Sequence, residues 1–402
     1  MKKTSFLGIL PFLFLIYGCQ SDSPSATSFE NPADLNSKFP YLYATNNSLY
    51  MSWISSNGDG SHSLNYARYD GGAWDTPQTI ARDSSWFVNW ADFPSIIADQ
   101  NGLLAIHMLN KKPGGPYAYD VNIYPFQNGK SRSPLVPHTD STATEHGFVS
   151  MVPWDDDTIL AVWLDGRQSA NRTEEQYFDL DYAMTLRAAF ISTSGEIKDS
   201  FLIDDAVCDC CPTSLVKTPE GALVAYRDRT EKEIRDISIS RFDGTSWSDP
   251  RTIHKDNWNI RACPVNGPAL AAQDSLVVLG WYTGADDNPR VQAVLSQDGG
   301  NNFQDSRVIS DQKAIGRVDA TIQNGHIYLS FLENSSDKAV LQIASLDQNS
   351  IQSSTVDTLS KSRKTGFPQL EAIEDKLILA WTAVSDTSTS IKTVQVNASH
   401  FN

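Results

Sequence analysis

Three of the five cysteines in this 402-residue chain fall within four positions, Cys208, Cys210 and Cys211. Cys263 is a fourth, and Cys19 stands alone near the N-terminus. Thiols spaced Cys-x-Cys-Cys have two chemistries open to them. They can pair as disulfides, with Cys211 and Cys263 the best single pair because they hold equivalent positions, each directly before a proline, in adjacent modules of the chain. A bond between the adjacent Cys210 and Cys211 would be strained, and four cysteines allow three pairings. Alternatively their thiolates can ligate a soft ion, Cu(I) or Zn(II), with Cys263 completing a four-sulfur shell. His107 and His146 are further candidate ligands in that reading.

A second set of reactive types sits in short charged segments: "LDGR" from Leu164, "YRDRTEKEIRD" from Tyr226, "YTGADDNPR" from Tyr282 and "GRVD" from Gly316. Arg167, Arg227, Arg229, Arg235 and Arg317 are fixed cations able to hold a carboxylate or sulfate through two parallel hydrogen bonds. Asp165, Asp236, Glu145 and Glu233 are candidate acids and bases, and Tyr226 and Tyr282 lie in the same segments. The plainer alternative is a salt-bridged loop on an acidic protein, which contributes little energetically.

The formal net charge is −16. So acidic a body repels nucleic acid and anionic lipid, which excludes both as partners of the folded surface. Lys2 and Lys3 precede an apolar run from Phe6 to Tyr17 and then Gly18-Cys19. A charged head, a short apolar stretch and a small residue before a cysteine describe an export signal of the bacterial lipoprotein type, with Cys19 lipidated. The expected organisation is a signal over 1–19, a tether and closing strand within 20–37, and one domain over 38–402. The expected location is the bacterial cell envelope, with the lipid as the only membrane contact.

The elements that position these residues follow from internal repetition. Short segments recur, often opened by a proline: "FPYLYA", "FPSIIA", "FVSMVP", "CPTSLV", "CPVNGPALA", "GRVDATI" and "FPQLEA". Each is followed by an apolar strand that ends at Trp53, His107, Trp163, Tyr226, Trp281, Phe331 or Trp381. Two-residue alternation and Gly/Asn/Asp turns then mark two outer strands. Repeats of this kind predict an all-β fold, a β-propeller of four-stranded antiparallel blades. Seven blades are expected and six are the alternative. The last module ends one strand short, so residues near 28 to 37 are expected to close the ring. Connections leading into each blade and loops between its second and third strands then emerge on one face. That face receives every thiol and arginine segment named above.

The segment "SQDGGNNF", Ser296 to Phe303, resembles the Asp-box of sialidase-like (BNR-repeat) propellers, and "YDGGAW" and "FDGTSW" are partial copies. This resemblance implies a glycan ligand, polar or acidic, and no required cofactor. Carried onto the face described, it implies an arginine clamp drawn from Arg167, Arg227, Arg229, Arg235 and Arg317. It implies Tyr226 or Tyr282 as nucleophile with Glu233 as its base, and Asp165 or Asp236 as general acid. If the chain is an enzyme, the expected class is an exo-α-sialidase-like glycoside hydrolase. The Phe/Tyr-Arg-Ile-Pro segment of such enzymes is absent here. A non-enzymatic propeller using the cysteine cluster, or the same face for a protein partner, therefore stays open beside it.

Overall fold

The computed structural model describes residues 26–347 and 350–401; the signal segment and Cys19 lie outside them. Seven four-stranded antiparallel sheets form the blades. Blade 1 runs through Ser37–Ala44, Leu49–Ser56, His62–Tyr69 and Gln78–Asp83. Blade 3 runs through His146–Asp155, Thr158–Asp165, Met184–Ser192 and Ile197–Val207, and blade 4 through Ser214–Thr218, Gly221–Arg227, Ile237–Phe242 and Arg251–Thr252. The innermost strands of blades 2, 5, 6 and 7 are Ile96–Asp99, Ala269–Gln273, Ala314–Gln323 and Gln369–Ile373.

Core lies between blades rather than within one layer. A second strand faces its own blade's neighbours on both sides, which is why every residue of Thr158–Asp165 is buried. Leu160, Val162 and Leu164 of blade 3 pack with Val224 and Tyr226 of blade 4, while Ile159, Ala161 and Trp163 pack toward blade 2. The tryptophans of the second strands are buried, and two of them have satisfied indole N–H groups: Trp163 donates to Asp165 (3.0 Å) and Trp281 to Asp256 (2.8 Å). Burying an indole without such a partner would leave its N–H desolvated at a cost of about 1–3 kcal/mol.

Ring closure uses the N-terminal segment, but over fewer residues than expected. The paired strand is Thr27–Ser28, matched to Gln395 and Val394. Beyond it the Phe29 amide bonds Thr393 (3.1 Å) and the Asn36 amide bonds Thr389 (2.8 Å). Between those points the chain leaves the sheet, because Phe29 turns into the blade 1 core against Tyr69 and Trp74. The turn after Arg290–Ser296 is held by Asp298, which accepts from the Asn302 amide (2.8 Å) and from the Ser296 hydroxyl (2.7 Å). Gly299 and Gly300 supply the positive φ values, 67° and 83°, that the turn requires.

Seven innermost strands line a central cavity of about 790 Å³. It extends from Phe93, Phe148 and Phe367 at the lead-in end to Asn46, Asn324 and Glu374 at the first-hairpin end. At the lead-in end aromatic rings from blades 1, 2 and 7 meet: Phe39 on Phe93 (6.5 Å), Phe93 on Phe367 (6.2 Å) and Trp90 on Phe367 (5.8 Å). Bulges let these residues reach the axis. Register shifts follow Lys38, Gly147 and Gly316, and Phe39, Phe148 and Arg317 there take φ values of 54°, 54° and 53°. Strain of this kind persists where packing holds it.

Candidate functional site

The face made by the lead-in connections carries three groups of side chains. The first is the thiol cluster. Blade 3's outer strand continues directly into it: the Cys208 amide bonds the Arg227 carbonyl (3.0 Å), which laces the connection to blade 4. Cys208, Cys210 and Cys211 hold their sulfurs within 4.8 Å of one another, and Cys208 Sγ lies 3.7 Å from Cys211 Sγ. All four cysteines are free thiols, so the disulfide expectation is corrected: no disulfide is present among the described residues. The favoured partner also changes. Cys263 is exposed and interacts with Cys210, not Cys211. Hydrogen bonds from Cys210 and Cys211, together with the nearby Arg235 charge, hold the Cys208 thiol well below its ordinary range. These three cysteines form the all-sulfur group able to hold a metal ion; Asp120, His138 and His146, and Asp140, His146 and Asp165, form two further such groups among the described residues.

The second group is an ion network behind the thiols. Arg235 donates to Cys208 Sγ (3.2 Å) and grips Glu233 through Nη2 (2.7 Å) and Nε (3.2 Å). Arg229 takes the other Glu233 oxygen (2.9 Å) and reaches Asp209 (3.3 Å), which Arg172 also holds (3.0 Å). Glu233 is 1% exposed with both oxygens occupied by arginines. It therefore does not stand beside a tyrosine as the expected base. Tyr226 donates instead to Asp204 (2.6 Å), and burial pushes its phenol far up. The Tyr282 ring packs edge-on to Trp258.

The expected arginine clamp is dispersed by the fold. Arg227 donates to the Asn266, Arg235 and Tyr282 carbonyls and stacks on Trp258 (4.9 Å), so its donors support the loops. Arg167 forms a two-bond pair with Asp165 (2.7 Å each) and a further contact with Asp140 (3.1 Å). Asp236 accepts from the Asn257 and Trp258 amides (2.9 Å each). Arg317 lies over Trp90 (5.0 Å) and donates to Gly366 (2.6 Å); burial lowers its pKa to about 10. His146 stacks on His138 (3.8 Å) among Asp120, Asp140 and Asp165, and His107 bonds Ser95 (2.7 Å). Neither histidine joins the thiols: His146 belongs to the His/Asp groups, and His107 bonds Ser95 through Nδ1 while its Nε2 is buried without a hydrogen-bond partner.

The third group assembles a tyrosine–glutamate pair from other residues. The Tyr119 hydroxyl donates to Glu145 Oε1 at 2.5 Å and lies 3.2 Å from Asp92 Oδ2. Phe87 stacks flat on the Tyr119 ring at 4.1 Å, and the Phe148 amide bonds Asp92 Oδ1 (2.8 Å), so each member is fixed. Gly147 makes the approach feasible: a Cβ there would fall 2.0 Å from Asp92 Oδ2. Burial raises the Glu145 carboxyl to about 8 and Asp92 to about 7, while burial and the two carboxylates push the Tyr119 phenol up. Acids that titrate near neutrality beside a phenol can give and take protons at physiological pH. Glu145 is one of the acids and bases that the sequence offers as candidates. Tyr119 opens a third strand and carried no signal.

No family model and no curated protein matches the chain. Solved structures match its fold over most of its length. One is an ulvan lyase, a polysaccharide lyase bound to a GlcA(1-4)Rha3S saccharide, with TM-score 0.51, 13% identity, and coverage of 94% of this chain and 95% of that one. Others are a protein of unknown function from Dyadobacter fermentans (0.49, 11%, 95% and 100%) and the NanB sialidase from Streptococcus pneumoniae (0.45, 11%, 94% and 71%). At these identities the likeness shows the propeller and not an activity.

Proposed function

We propose that this chain is an exported, lipid-anchored propeller that binds a polar or acidic glycan on the lead-in face, with the Tyr119–Glu145 pair as its reactive centre. The observation that carries the reading is the 2.5 Å hydrogen bond between that phenol and a carboxyl raised to about 8. Ionised Glu145 accepts the phenol proton and leaves an oxygen nucleophile; protonated Asp92 or Glu145 supplies a proton to a leaving oxygen. Aromatic and cationic groups nearby suit a sugar acid. Arg261 lies over the ring of Phe178 (4.9 Å), which is 41% exposed, and Arg363 lies over Trp90 (5.7 Å). Sugar rings stack on such faces while a guanidinium meets the carboxylate or sulfate. A polysaccharide lyase of similar fold is bound to a uronate-containing, sulfated saccharide, a ligand of the class proposed here.

The test is a panel of sialosides, uronates and sulfated polysaccharides assayed for binding and cleavage. The reading expects at least one acidic glycan to bind and Arg261→Ala to weaken it. Turnover, where present, should fall by about 100-fold or more in Tyr119→Phe and Glu145→Gln with binding kept. A panel with no ligand at all refutes it. For the anchor, Cys19→Ala should move the protein from membrane to soluble fractions; an unchanged distribution removes the lipid.

A further inference from the structure

Distance, charge and access at the thiol cluster agree on a ligand that the glycan reading does not use. Cys208 Sγ and Cys211 Sγ are 3.7 Å apart. A disulfide would bring them to ~2.05 Å. Two sulfurs bound to one ion at ~2.3 Å in a tetrahedral shell sit about 3.8 Å apart. The observed spacing is that of a coordination edge, and Cys210 keeps its sulfur within 4.8 Å of both. Cys208 and Cys211 are also separated by two residues, the bite that suits a tetrahedral ion.

Charge is arranged for the same purpose. A shell of three or four thiolates around a mono- or divalent ion retains net negative charge, which is costly to bury alone. Arg235 already donates to Cys208 Sγ at 3.2 Å, and Glu233 fixes that guanidinium through two bonds. Donors of this kind orient and neutralise metal-bound sulfur. Cys263, exposed and on a separate connection, gives an ion a way in and contacts the cluster through Cys210.

We propose that Cys208, Cys210, Cys211 and Cys263 bind one thiophilic d10 cation, Zn(II) or Cu(I), which ties the connection leading into blade 4 to the one leading into blade 5. Each thiol that ligates releases its proton, so binding acidifies the solution. The Cys263 charge is felt at Glu145, but none of the four sulfurs bonds Tyr119, Glu145 or Asp92, and the metal titration reads binding without any glycan, so either reading can fail alone. The experiment uses the full chain, reduced and stripped by chelator, then titrated anaerobically with Zn(II) or Cu(I), with Co(II) as the optical probe. One equivalent should bind, and Co(II) should give intense thiolate-to-metal charge-transfer absorption. Tighter competition by one ion than the other against a chelator of known affinity assigns the metal. Cys210→Ser and Cys263→Ser, at the less buried positions, should keep wild-type circular dichroism and lose about 10-fold or more in affinity. Arg235→Gln should lose about 10- to 100-fold and shift the charge-transfer band, which a purely structural arginine would not do. Failure of the reduced wild-type chain to retain any of the three ions overturns the proposal. Unchanged affinity in Cys263→Ser overturns the four-sulfur form.

Discussion

Replacing Glu145 by glutamine should change how stability depends on pH more than it changes stability itself. The side chain is a buried carboxyl whose value rises from 4.5 to about 8, with burial as the main cause. Between those values the folded protein keeps a proton that the unfolded chain has released. The unfolded state binds fewer protons, so stability falls as pH rises through this window. Each pH unit corresponds to about 1.4 kcal/mol, which would place the loss between pH 5 and pH 8 at about 3–4 kcal/mol; sharing of charge with Asp92 lowers this to about 2–4 kcal/mol. Glutamine cannot ionise, yet its carbonyl oxygen still accepts the Tyr119 hydroxyl. The variant should therefore be close to wild type at pH 5 and more stable than it at pH 8 by that amount. Urea unfolding of both proteins at half-unit steps, read as the difference in free energy, reports Glu145 together with its coupling to Asp92, because the remaining titrating groups are common to both. A difference that stays flat within about 0.5 kcal/mol would show that Glu145 titrates normally, and the acid–base argument for this face would fall with it.

Other consequences follow from the same contacts. Gly147→Ala places a Cβ 2.0 Å from Asp92 Oδ2 and should cost about 1–3 kcal/mol by thermal melting while raising the Tyr119–Glu145 distance. Phe29→Ala removes the ring that the closing segment buries against Tyr69 and Trp74 and should cost about 3 kcal/mol; a value near zero would mean the two-strand closure alone holds the ring. Asp298→Ala should lower the melting temperature without altering glycan or metal binding, since its turn lies on the opposite face from both; a change in either affinity would contradict the assignment of faces.

Blade number and order were legible because they depend on local patterns. Two-residue alternation, an aromatic at the end of each second strand and Asp/Gly turns recur once per blade, and chain direction alone then sorts connections onto two faces. Seven four-stranded sheets follow that count. The short final module also announced a closing strand, although its two paired residues, Thr27–Ser28, begin earlier than the expected segment. The thiols were visible for the same reason: three sulfurs on four consecutive residues cannot be far apart in any fold.

Partnership between side chains was settled by tertiary structure. Tyr119 and Glu145 are 26 residues apart on different elements, and they meet because Gly147 lets Asp92 approach and Phe87 flattens the tyrosine ring in place. Glu233 looked like a base beside Tyr226, yet two arginines four and two residues away along a folded-back loop reach it first. Arg227 looked like a ligand clamp, but buried carbonyls of Asn266, Arg235 and Tyr282 needed donors and took it. A sequence lists which donors and acceptors exist, and its periodicity fixes which face they occupy. Which pairs form depends on a few bulges with positive φ and on how adjacent blades bury each polar group. That competition is decided only when all seven blades are packed together.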